Sequence, residues 1–208
     1  MKKIIMTATS LLVAAMAFAQ IQVRAGYLQQ SNESKTGDNS DNSKLNGAYV
    51  GVSYNVPLPV AGLNFAPGIY YSFLTGSSTS SASLLGLSQT TTGTTTEQYI
   101  NIPVLFNYGA EVGPGKVYCY LGPTVSYAIA GQYKLEGSGI VSGSSTTELF
   151  GENSNYSPLD VKASIGVGFK YNALALNLGF DWGLLDRDSS DNTTLKTNLF
   201  HIGVGYSF

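Results

Sequence analysis

Between residues 174 and 184 the chain changes character at every step. Leu174, Leu176, Leu178, Phe180, Trp182 and Leu184 hold one parity, while Ala175, Asn177, Gly179, Asp181 and Gly183 hold the other. Successive side chains of an extended strand point to opposite faces, so this spacing gives a strand one apolar face and one small or polar face. A helix would scatter the same residues around its axis. The pattern returns at the end of the chain, with Phe200, Ile202, Val204, Tyr206 and Phe208 opposite His201, Gly203, Gly205 and Ser207. It also holds for Val161, Ala163, Ile165, Val167 and Phe169 against Lys162, Ser164, Gly166, Gly168 and Lys170. Likewise Ile100, Ile102, Val104, Phe106 and Tyr108 oppose Tyr99, Asn101, Pro103 and Asn107. In all, eight segments read as strands, over 20–30, 46–56, 62–74, 97–109, 116–133, 159–171, 173–185 and 195–208. Pro67, Pro103 and Pro123 fall inside them, and each removes a ladder donor, so they mark places where pairing relaxes.

The links between these segments alternate in length. Those after the odd strands are long and polar (31–45, 75–96, 134–158 and 186–194). Those after the even strands are short: Pro57-Leu58-Pro59, Gly113-Pro114-Gly115, and Asn172 with Ala173. Transmembrane barrels carry long loops outside and short periplasmic turns, and their strands need about 9–11 residues to cross the bilayer. The predicted fold is therefore all-β, an eight-stranded antiparallel up-and-down transmembrane β-barrel. A soluble eight-stranded barrel is the rival, with its apolar face turned inward. Composition weighs against it: only 12% of residues are charged, against roughly 25% in soluble domains. The polar face, rich in Gly and short side chains, suits a narrow lumen better than a wetted exterior. Tyr54, Tyr108, Tyr133, Phe169, Tyr171 and Phe208 near strand ends are expected to form interfacial girdles.

The first residues read as a sorting signal. Lys2 and Lys3 precede an apolar run over 4–17, and Ala17-Phe18-Ala19 gives a small-x-small cleavage site before Gln20. The expected organisation is a signal peptide over 1–19 and a barrel domain over 20–208, with Sec export, cleavage after Ala19 and residence in the outer membrane. No cysteine follows the cleavage site, which excludes a lipoprotein. The apolar alternation ending on Phe208 looks like the C-terminal signal that hands such barrels to the barrel-assembly machinery. Expected partners are that machinery, outer-membrane lipid and lipopolysaccharide, and an extracellular ligand of the long loops. A net charge of -2 without a basic stripe argues against nucleic acid.

Three segments resemble a known family. YINIPVLFNY at 99–108 is similar to the fourth strand of the PorT-like outer-membrane barrels common in Bacteroidota. LGPTVSY at 121–127 and DVKASIGVG at 160–168 are similar to the strands that follow it. The resemblance implies an eight-stranded barrel of the size class of the small enterobacterial barrels. It carries over neither PorT's role in secretion nor any catalytic residue.

Several residues invite a sharper reading. His201, the only histidine, falls on the lumen face, and some outer-membrane lipid enzymes use a histidine with a serine. No serine constellation is recognisable beside it, so an interior packing role is preferred. Arg24, Lys162, Lys170, Asp181 and Glu97 also fall on the polar face, where unpaired charges are expensive. They are expected to form a structural ion network, with Arg24 or Lys162 as partner of Asp181. The acidic stretch 186–191 and the region 37–41 lack the glycine and terminal glutamate of a calcium loop and read as solvated loops. Gly-x-Gly at 166–168 and 203–205 lies inside strands, so it reads as small lumen-facing residues rather than a dinucleotide motif. Cys119 reads as an inert lipid-facing thiol, and a lone cysteine excludes an intramolecular disulfide. On the lipid face, Leu178 should not tolerate arginine, while Asn177 should accept serine. No catalytic, cofactor-binding or metal-ligating residue is assigned. The expected function is non-enzymatic, structural or binding through the loops. A narrow channel or accessory component of a secretion or uptake system stands second, and a lipid-modifying enzyme third.

Overall fold

The computed structural model describes residues 20–208 except 38, 85–86, 140–141, 152–153 and 191–192; the expected signal peptide and its cleavage site lie outside the described residues. Nine strands run in chain order: β1 (Gln20–Thr36), β2 (Asn39–Pro57), β3 (Leu63–Leu84), β4 (Leu87–Val112), β5 (Gly115–Gly139), β6 (Gly143–Glu148), β7 (Leu159–Tyr171), β8 (Leu174–Gly183) and β9 (Thr193–Ser207). Eight of them close a ring in which each pairs antiparallel with its neighbours, β9 meeting β1 and β4 meeting β5. Closure leaves no open edge around the barrel, the condition for sheet to cross hydrocarbon. β6 stands outside the ring, paired only with the far end of β5 over Gln132 to Gly137.

Alternation sorts the side chains as expected. Leu121 is 60% exposed, Leu176 58% and Val204 57%, all on the outer surface. Ala175, Asn177 and Asp181 on the same strand as Leu176 are buried. The short turns fall at 58–62, at Gly113 and Pro114, and at Asn172 and Ala173. Gly113 takes φ 60° and Asn172 φ 53°, the left-handed conformation that tight hairpins demand.

Two of the four long links are not loops, and a third is strand in part. β1 and β2 stay paired out to Thr36 and Asn39, β3 and β4 out to Leu84 and Leu87, and β4 and β5 out to Gln89 and Gly139. Segments expected as coil over 31–45 and 75–96 are thus hairpin extensions, and 134–158 contains the end of β5 and all of β6. Polarity hid this: Thr and Ser carry no apolar signal, yet they pair well across strands. Thr79 faces Thr92 with hydroxyls 3.2 Å apart, and Ser81 faces Thr90 at 3.3 Å.

The prolines act as expected. Ladder contacts lapse at Tyr54 and Asn55 opposite Ala66 and Pro67. They lapse again at Gly68 and Ile69 opposite Ile102 and Pro103, and at Val104 and Leu105 opposite Gly122 and Pro123. A separate register shift at Gln98 and Tyr99 passes over Ile129 of β5. A shift of one residue moves a side chain to the other face. Tyr133, expected in the lipid girdle, therefore lies across from Thr95 and lines the interior mouth.

Candidate functional site

The lumen is filled in layers, each built by alternate residues of facing strands. At the short-turn end, Gln22, Arg24, Asn107 and Tyr118 meet Lys116 and Lys170 around a cavity of about 110 Å³. Arg24 is buried, and its Nε donates to Oε1 of Gln22 at 2.6 Å.

Above it lies a chain of rings. Tyr70 packs edge-on against Tyr49 with centroids 5.9 Å apart, Tyr49 against His201 at 6.0 Å, and His201 stacks on Tyr120 at 6.4 Å. Tyr120 leads to Tyr118 at 6.5 Å. Glycines make room for these rings: a methyl group on Gly166 would overlap the ring of Tyr120, and one on Gly168 the ring of Tyr118. Tyr118 donates to Oδ1 of Asn177 at 2.5 Å, and Tyr120 to the carbonyl of Leu178 at 3.1 Å. The glycines on the polar face are thus sockets for tyrosines, more specific than the filler expected from the sequence.

Over the rings is a cavity of about 70 Å³ lined by Arg24, Tyr120, Thr124, Ser164, Asp181 and His201 among others. Here the expected pairing is corrected. Asp181 faces His201, with Oδ1 3.6 Å from Nε2, and Lys162 instead pairs with Asp160 at 3.2 Å. The reason lies within the strand: Asp160 and Lys162 are two apart on β7 and share its inner face, whereas Asp181 stands opposite Ser164 on β7 and Leu199 on β9. Asp160 is 0% exposed and Lys162 3%, so this ion pair is wholly interior. Asp160 was missed by the sequence reading, although its parity with Lys162 could have found it. The hydroxyl of Ser164 is engaged by Thr124 at 2.7 Å, and the lumen position of His201 is as expected.

Arg187 forms the lid of this filling. Expected in a solvated acidic loop, it turns inward from the link between β8 and β9 and is 2% exposed. Its Nη1 donates to the Tyr99 hydroxyl at 3.0 Å and to Thr197 at 3.2 Å, and its Nε to the Ser157 carbonyl at 3.3 Å. The guanidinium lies 5.5 Å from the Tyr99 ring centroid and 5.3 Å from that of Phe150. The Tyr99 hydroxyl donates in turn to Oε2 of Glu97 at 2.5 Å, and Gln30 donates to the same carboxylate oxygen at 2.7 Å. Arg187 and Glu97 are therefore joined through a tyrosine. No local pattern announces that one arginine of a polar loop will fold inward. Its neighbours build the turn that allows it: Asp186 accepts the amides of Asp188 at 3.0 Å and Leu195 at 2.8 Å. Partial burial pushes the Asp186 carboxyl up, but these amides outweigh it and hold the group below its ordinary value. Asp188 accepts from the amide of Ser190.

At the long-hairpin end the barrel opens into a cup of about 450 Å³. Glu97 and Arg187 lie at its base, and Tyr133, Phe150 and Tyr156 are on its wall with Asn32, Asp41 and Thr95. Cys119 faces outward as expected. Among the described residues no group of His, Cys, Asp and Glu is arranged to hold a metal ion.

The family described as outer membrane protein beta-barrel domain matches residues 14–189. Among solved structures the chain is similar to Ail, the attachment invasion locus protein of Yersinia pestis. Identity is 16% and the TM-score 0.42, over 91% of this chain and 99% of that one. It is similar to Neisserial surface protein A at 14% identity and TM-score 0.44, over 91% and 99% of the two chains. The outer membrane enzyme PagL is similar at 12% identity and TM-score 0.44, over 86% and 98%. No curated protein sequence matches the chain.

Proposed function

This chain belongs to the outer membrane protein beta-barrel domain family, and from that premise we propose that it is a closed, non-catalytic barrel that binds through its long-hairpin mouth at the cell exterior. One observation carries the reading: the lumen is packed with buried side chains that contact one another, whereas the mouth opens into the cup. Lys162 pairs with Asp160, Asp181 lies 3.6 Å from His201, and Arg187 is joined to Glu97 through the Tyr99 hydroxyl. An eight-stranded barrel has room for little else inside. The placement of His201 between Tyr49 and Tyr120 favours packing over base catalysis.

Export by the Sec pathway with cleavage after Ala19 fits the chain, and mass spectrometry of the membrane-inserted form should then give Gln20 as the first residue. Phe200, Ile202, Val204 and Tyr206 of β9 face outward, a surface suited to hand-over by the assembly machinery and then to contact with lipid and lipopolysaccharide. The three segments similar to PorT-like barrels fall on β4, β5 and β7, and the finer family placement rests on that similarity alone.

The test is electrical. The full chain, refolded and inserted into planar bilayers, should conduct no more than the bare membrane. Steady single-channel currents would overturn the closed-barrel reading and put the channel or transport-accessory role in its place.

A further inference from the structure

We infer that the cup at the long-hairpin mouth is a binding site for a neutral sugar, of about one or two rings. The inference rests on the binding role proposed above and names the ligand class. Three features of the cup point to it.

The first is size and shape. About 450 Å³ enclosed by residues of β1, β2, β4, β5, β6, β9 and two links lies within the usual range for small-molecule sites, and is too small for a folded partner. The second is the mixture of rings and polar groups. Tyr133 and Tyr156 bring flat apolar rings to the wall, with the edge of Phe150 between Gly131 and the Arg187 guanidinium, and the C–H face of a sugar ring packs on such aromatic surfaces. Asn32, Ser34, Ser43, Thr95 and Thr147 supply donors and acceptors in the same space, matching hydroxyls that need both. The third is charge. Asp41 and Glu97 line the cup against a single cation, Arg187, and that guanidinium is already committed to Tyr99, Thr197 and Ser157. Glu97 is likewise committed to Tyr99 and Gln30, so an anion would meet the exposed Asp41 carboxylate and no uncommitted cation among the lining residues, and an uncharged ligand is favoured.

The rings are also held in place in advance. Gly93 lies opposite the hydroxyl of Tyr133, and Gly131 under the ring of Phe150; a methyl group at either position would overlap the aromatic residue. Phe150 packs edge-on to Tyr99 at 6.4 Å, which ties the wall to the hydrogen-bonded floor. A site whose rings rest in fitted sockets loses little freedom on binding.

The test uses the full chain in an amine-oxide detergent, because glycoside detergents would themselves compete. Cellobiose, lactose, maltose and diacetylchitobiose are the probes, with glucose 6-phosphate as the charged comparison, read by calorimetry and saturation-transfer NMR. At least one neutral disaccharide should bind in the millimolar range or tighter. Tyr133→Ala and Tyr156→Ala should each weaken it by about tenfold, while Tyr133→Phe should keep most of the affinity. No binding by any neutral probe, binding untouched by both alanine variants, or preference for the phosphate would each overturn the assignment. Planar-bilayer recordings on the same sample report separately on the closed lumen. Loss of sugar binding with background conductance would remove the ligand and leave the barrel reading standing.

Discussion

A single position on β8 shows what one side chain decides. Leu178 points into hydrocarbon and is 43% exposed, while Asn177 beside it is 3% exposed and accepts the Tyr118 hydroxyl. Arginine at a lipid-facing midplane position costs about 2–4 kcal/mol. Leu178→Arg should therefore lower the stability of the folded barrel in bilayers by that order, read from denaturant midpoints. Asn177→Ser, expected to be harmless from parity alone, should instead cost about 1–3 kcal/mol, because the shorter side chain leaves a buried hydroxyl without its acceptor. If serine at 177 proves neutral and arginine at 178 harmless, the inside and outside of the barrel have been exchanged. Parity was enough to place Asn177, Lys162, Asp181 and His201 in the lumen. It could not name their partners, since those depend on how far neighbouring strands slide past each other. Asp181 finds His201 rather than Arg24 or Lys162 because register, not composition, brings β8 and β9 together there.

Strands show the same division between what alternation reveals and what it hides. The membrane-crossing halves of β7, β8 and β9 were readable because one face must be apolar, and their bounds differ from expectation by a few residues only. The outer halves of β3 and β4 were not, because a hairpin in water needs no apolar face and is held by backbone bonds and hydroxyl pairs. The register shift beside Tyr99 was equally silent, yet it carries Tyr133 from the girdle to the cup. Orientation can be tested on these elements in a Cys119→Ser background. Ser81 is exposed near the end of β3, and Pro114 is exposed in the β4–β5 turn. In intact cells a membrane-impermeant maleimide should label Ser81→Cys and spare Pro114→Cys, and after disruption of the membrane both should react. The reverse pattern in intact cells would place the cup on the periplasmic side and remove its access to any external ligand.

On the closed-barrel proposal, passage through the whole molecule is opposed at two independent levels. The upper level is the network of Arg187, Tyr99, Glu97 and Gln30 under the cup, and the lower one is the chain of rings from Tyr70 through Tyr49, His201 and Tyr120 to Tyr118. They differ in kind. The upper level depends on a buried cation whose removal takes away the positive charge joined to Glu97 through Tyr99, and loss of one partner of a buried pair typically costs about 3–5 kcal/mol. The lower level depends on packing and contains no element that must swing aside. Arg187→Ala should therefore destabilise the barrel by roughly that amount, shown by an earlier loss of the compact, fast-migrating form on heating before electrophoresis. It should leave conductance in planar bilayers at background, because the rings still close the path. Opening should require the second level as well: Arg187→Ala combined with Tyr49→Ala and Tyr120→Ala should give measurable ion currents wherever enough of the protein folds to insert. Currents from Arg187→Ala alone would mean that the loop arginine is the only seal and that the ring layer leaks, which would make the link between β8 and β9 a gate rather than a lid.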